Sequence, residues 1–177
     1  MFLLALTTAC FSPPEFSNAP EIGFVGISGD RTTDPLGNRQ DSITVTISFK
    51  DGDGDLGLSN QDTLSPFQPF EQQPDGSLTV NLYHHNYHMT VKRMKDGMLE
   101  EVNFLDGGKV KGRFPRLVDG NGPLEGELNF GRYFLIGGSS NTFNEGDSLL
   151  FEVFIIDRAL QQSNTITTDM IVLGDYE

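Results

Sequence analysis

The sequence predicts an all-β sandwich, and three observations predict it. Turn-forming residues are plentiful, with 20 Gly among the 177 residues alongside many Asp, Asn, Ser and Thr, a balance that suits strands joined by turns. Short runs of alternating apolar and polar residues recur along the chain, the sign of half-buried strands. No stretch carries an apolar stripe of helical period over an adequate length. A hydrophobic fraction of 37% with 14 Phe supplies a core at a length typical of one domain, without disulfide staples.

The elements follow in order. Glu21–Ser28 alternates through Ile22 and Phe24. Asp41–Lys50 (DSITVTISFK) is the clearest strand, with Ile43, Val45, Ile47 and Phe49 on one face and Thr44, Thr46 and Ser48 on the other. Leu78–Lys95 is long enough for a bent strand or a strand with its partner. Asp96-Gly97 is a two-residue hairpin turn from which Met98–Leu105 returns. Lys109–Val118 and Glu125–Ile136 flank the turn Asp119-Gly120-Asn121-Gly122-Pro123. Asp147–Ile156 alternates through Leu149, Phe151, Val153 and Ile155, and Ser163–Leu173 closes the chain. The sum is about seven to nine strands.

The net charge of −13 leaves no basic stripe for phosphates, so nucleic-acid binding is not expected. An acidic surface attracts cations but names no partner by itself. The chain has one cysteine, Cys10, so it forms no internal disulfide.

Residues 1–10 read MFLLALTTAC: an apolar run, then small residues, then the cysteine. Small side chains before a cleavage point fit a signal peptidase, and the segment resembles the end of a bacterial lipoprotein signal. That resemblance makes residues 1–9 a signal remnant and Cys10 the lipidated residue. The other reading is a buried free Cys in an N-terminal strand. Residues 11–20 (FSPPEFSNAP) contain three Pro and read as a semi-rigid tether, so the sandwich is assigned residues 21–177. No run reaches the length of a transmembrane helix.

The sharpest chemical motif is Asp51-Gly52-Asp53-Gly54-Asp55, followed by Asp62. Carboxylates at alternate positions on a Gly-punctuated loop converge on a hard cation such as Ca²⁺, which takes six to eight oxygens. Leu56 stands where an EF-hand has Gly, and no helices flank the loop. The candidate is therefore a sandwich-edge calcium loop, with Asp157 or Asp41 arriving from a neighbouring strand end. The other reading is a solvated turn whose Asp side chains cap their own backbone.

All three His lie in Tyr83-His84-His85-Asn86-Tyr87-His88. On a regular strand His84 and His88 are about 13 Å apart, too far for one metal ion, so a polar outer face and an aromatic inner face are expected. There is no GxSxG elbow. Gly137-Gly138-Ser139-Ser140-Asn141 lacks the Lys of a phosphate loop, and Glu100 and Glu101 face apart. No catalytic residues are assigned. Leu64-Ser65-Pro66-Phe67-Gln68-Pro69-Phe70 places two Phe between prolines, either as a rigid docking loop or folded over the end of the sandwich.

DSITVTISFKDGDGDLGL (41–58) and GDSLLFEVFIIDRALQQSNTITT (146–168) together resemble a family of outer-membrane lipoproteins widespread in Bacteroidetes-type bacteria. The shared pattern is an acidic turn after a strand, then a late strand ending in Asp-Arg followed by a Ser-Asn-Thr strand. This chain has Ala159-Leu160-Gln161-Gln162 where the family tends to have Ala-Gly-Asn. The resemblance implies an immunoglobulin-like or cadherin-like sandwich at the outer membrane. The expected function is a non-enzymatic accessory or protein-binding subunit of an outer-membrane complex, lipid-anchored and facing the periplasm. The alternative is a surface carbohydrate-binding module, disfavoured by the lack of Trp and by only four Tyr.

Overall fold

The computed structural model describes residues 14–102, 109–118, 120–137 and 143–176. Cys10 and the 1–9 leader lie outside them, as does most of the Gly137–Asn141 segment. The described residues form eleven strands and one 3-10 turn, all-β as expected but with more strands than seven to nine. The surplus comes from the ends of elements. Residues 70–80 make a small hairpin of their own, and the closing stretch splits into two strands of two residues each.

The strands are β1 (Glu21–Thr33), β2 (Arg39–Asp51), β3 (Phe70–Gln72), β4 (Leu78–Val80), β5 (Tyr87–Lys95) and β6 (Met98–Glu101). They continue with β7 (Val110–Gly112), β8 (Leu124–Leu135), β9 (Ser148–Ile155), β10 (Ile166–Thr167) and β11 (Ile171–Val172). One sheet has the order β1-β2-β8. The second has β10-β9-β5-β6, with β11 also on β9 and β7 also on β5. Every strand pairing is antiparallel.

Alternation fixes the core. Ile43, Val45, Ile47 and Phe49 of β2 are buried, as are Leu149, Phe151, Val153 and Ile155 of β9. Tyr87, Met89 and Val91 of β5 complete the inner face of the second sheet. The two sheets meet through aromatic contacts: Tyr87 stacks on Phe130 of β8 at 4.1 Å between ring centres, and Phe134 tilts against Phe151 at 5.9 Å. Each such pair adds a fraction of a kcal/mol to about 1.5 kcal/mol beyond its buried area.

Asp96-Gly97 makes the expected turn, with φ of 51° and 79°, and Lys95 pairs Met98 across it. The run Leu78–Lys95 is interrupted, because Leu82–His84 forms a 3-10 turn capped by Asn81, whose side chain accepts from the Tyr83 amide. The Asn81 amide group also donates to the Pro66 and Gln68 carbonyls. The Pro-Phe loop is thus folded back on the 3-10 turn, while Leu64 and Phe70 stay exposed.

Candidate metal centre

β2 and β9 each bury every second residue, and each sequence places an aspartate two positions after the last apolar one. Asp51 follows Phe49 and Asp157 follows Ile155, so both carboxylates keep the inward direction of the core rows. They are 0% and 2% exposed. The two strands belong to opposite sheets, and their ends meet at the same end of the sandwich. The loop leaving β2 then brings Asp55 to them. One oxygen from each of Asp51, Asp55 and Asp157 lies within 4.8 Å of the other two.

The loop caps its own backbone, with Asp51 Oδ2 accepting from the Asp55 amide, but it is half-buried rather than solvated. Leu56 is fully buried and Leu58 nearly so, which pins the backbone directly after the acidic run. At Gly57, with φ of +94°, a Cβ would run into the Pro115 carbonyl and Arg116. The Leu58 amide donates to the Phe114 carbonyl, the Gly122 amide to the Asp53 carbonyl, and the Arg158 guanidinium to the carbonyls of Leu56 and Gly57. Leu56, which rules out an EF-hand, is the residue that anchors this loop in the core.

Each of the three carboxylates is held in the same way. Asp51 Oδ2 accepts from the Asp55 amide at 3.0 Å, Asp55 Oδ2 from the Ala159 amide at 2.9 Å, and Asp157 Oδ1 from the Gln161 amide at 2.7 Å. The second oxygen of each is buried with no hydrogen-bond partner in the protein. Asp53 adds a fourth buried oxygen of this kind, Oδ1. Backbone N–H groups orient the side chains and leave four oxygens unsatisfied, where buried polar atoms are ordinarily paired.

Burial raises Asp157 to about 7, helped by the charges of Asp55, Asp51 and Asp53 and opposed by the Gln161 amide. Burial likewise raises Asp51 to about 6, with Asp53 and Asp55 adding to it. Asp55 is raised by burial and by Asp53, against the Ala159 amide and the Arg158 cation. Like charges crowded in a poorly solvated place favour protonation or a bound cation.

The remaining expected ligands go elsewhere. Asp62 bonds the Ser59 amide at 2.6 Å and pairs with Arg116 at 2.9 Å. Its carboxyl stays below the usual range, because these partners outweigh its partial burial. Asp41 sits at the opposite end of β2, roughly 33 Å along the strand, where the Tyr176 hydroxyl donates to it at 2.8 Å. That latch, with Arg31 at 3.8 Å from the Asp41 carboxylate, was not anticipated. Its legible signal was Asp41 at the start of the inward row of β2.

The histidines form no metal cluster among the described residues. The expected polar outer face is corrected at His88, which is 1% exposed, stacks on Phe154 and bonds the His85 carbonyl through Nε2. After Asp157-Arg158 the tight turn is made without Gly: Leu160 adopts φ of +66°, and its amide donates to the Asp157 carbonyl.

The chain matches no protein-family model, no curated protein and no solved structure.

Proposed function

We propose that this protein is a non-enzymatic binding module whose acidic loop takes one structural Ca²⁺, carried on a lipid-anchored tether at the outer membrane. The observation that carries the cation is the shared arrangement of Asp51, Asp55 and Asp157. Each has one oxygen fixed by a backbone N–H and one buried oxygen with no partner. Two oxygens at about 2.4 Å from one Ca²⁺ are at most about 4.8 Å apart, and the three carboxylates meet that limit. All-carboxylate donors suit a hard ion, and the lack of any His or Cys in the cluster argues against a transition metal.

Cys10 and the Pro-rich stretch behind it resemble a lipidated tether. The hairpin β3–β4 exposes Phe70, Leu78 and Val80, and apolar side chains left together in water fit a protein-binding surface. A subunit of an outer-membrane complex would use such a surface.

The test is Asp157→Asn, which keeps the acceptor for the Gln161 amide and removes one charge. In EDTA the variant is expected to be more stable than the wild type by about 1–2 kcal/mol, because repulsion and burial of charge are relieved. In millimolar Ca²⁺ the order reverses, because only the wild type gains from binding. A wild-type Tm that is the same in EDTA and in millimolar Ca²⁺, with no calorimetric binding heat, rejects the cation.

A further inference from the structure

We propose that cation occupancy in the 51–55 loop clasps the Phe16–Ser17 segment of the tether to the sandwich. The inference rests on the cation reading above and adds a second consequence to it.

Gly52 directly follows Asp51, one of the three carboxylates of the proposed cation site. Its amide donates to the Ser17 carbonyl at 2.8 Å. A Cβ on Gly52 would come within 2.5 Å of the Phe16 carbonyl oxygen, so the tether backbone lies directly on the loop. The φ of Gly52 is outside the positive range that demands glycine; what requires glycine here is the approach of the tether. The Lys50 ammonium stands 5.6 Å from the centre of the Phe16 ring. Beyond this point the chain is committed to the sheet: Pro20 is buried, and the Ile22 amide and carbonyl both bond the Asn164 side chain. Phe16 and Ser17, just before this point, are the tether residues that touch the acidic loop.

The same loop reaches the other segments around it, through Gly122 on the Asp53 carbonyl and Ala159 on the Asp55 carboxylate. Without an ion, the crowded carboxylates repel, and the start of the loop at Asp51-Gly52, which precedes the Leu56 anchor, shifts. The amide of Gly52 then loses the orientation that meets Ser17. With the ion, the loop is held and the tether has a fixed seat. Coupling between two sites is reciprocal, so a seated tether also tightens the ion.

The experiment uses the full chain with Cys10→Ser and Asn18→Cys, residue 18 being exposed beside the contact. A nitroxide on residue 18 reports tether mobility by continuous-wave EPR, and calorimetry on the same sample reports Ca²⁺ binding. The expected result is a mobile label in EDTA and an immobilised one at saturating Ca²⁺. Gly52→Ala is expected to bind Ca²⁺ roughly fivefold or more weakly, the ordinary range of coupling between two sites, and to leave the label mobile when saturated. Phe16→Ala is the second variant, which changes no residue of the loop itself, and is also expected to leave the label mobile. Ca²⁺ binding with no change in the wild-type label overturns the clasp and leaves the ion in place. Immobilisation that persists in both variants overturns it too. Absence of Ca²⁺ binding removes the ion, and the clasp with it.

Discussion

His88 carries a price for its place inside the second sheet. Its ring is stacked on Phe154, and Nδ1 is buried without a partner. Burial pushes it down to about 4, with the neighbouring His85, Lys111 and Lys109 adding to the effect against the His85 carbonyl. An unfolded His titrates near 6.5. The neutral ring therefore contributes stability that is complete above about pH 6.5 and is lost as pH falls through about 4. His88→Phe keeps the stacked ring and removes the titration. Its stability relative to the wild type is expected to grow by on the order of 3 kcal/mol between pH 7 and pH 4, measured by urea unfolding at a series of pH values. Taking the difference between the two proteins cancels the opposite trend of Asp51 and Asp157. A constant difference across that range would contradict the buried neutral imidazole.

The acidic loop behaves as an element in its own right, although it has no regular structure. Buried Leu56 and Leu58 hold it from within, and backbone contacts at Gly54 and Gly57 hold it from two sides. Gly57→Ala requires both a positive φ and a shift of the 115–116 backbone, so a loss of about 2 kcal/mol or more is expected from thermal or chemical unfolding. Gly76→Ala is the comparison: its φ is +86° but nothing lies within 4 Å of the added Cβ. That variant carries the conformational cost alone, about 1 kcal/mol. Equal losses at the two sites would mean that the loop is not wedged against residues 115–116. Much of this element was legible in advance. The Asp-Gly alternation marked the loop as a candidate cation site. The parity of Asp41–Lys50 extends through Asp51, and that of Asp147–Ile156 extends to Asp157. Asp62 was misplaced because sequence spacing suggested a twelve-residue frame, whereas Arg116 from a distant segment captures it.

At the scale of the whole molecule, the tether and the sandwich are joined at one end, where the ion is proposed to sit. The Asp41–Tyr176 latch closes the other end. Cys10, the proposed lipid-anchor residue, precedes in the sequence the segment that touches the acidic-loop end. If the proposed anchor is at Cys10, Cys10→Ala is expected to move the protein from the membrane fraction to the soluble fraction and to abolish palmitate labelling. Continued membrane retention of the variant would exclude a lipid anchor at Cys10.

The sequence by itself determined the all-β class, the inward rows of β2 and β9, the Asp96-Gly97 turn and the acidic loop, because each depends on a period of two or on local turn chemistry. In the structure Asp51 and Asp157 continue the inward parity of their strands past the last apolar residue of each row. Only the tertiary structure decided which inward carboxylates meet. Asp41 and Asp51 share one face of one strand yet lie at opposite ends of the sandwich, and Asp157 joins Asp51 from the other sheet. Parity sets the direction of a side chain, while the packing of one sheet on the other sets its company.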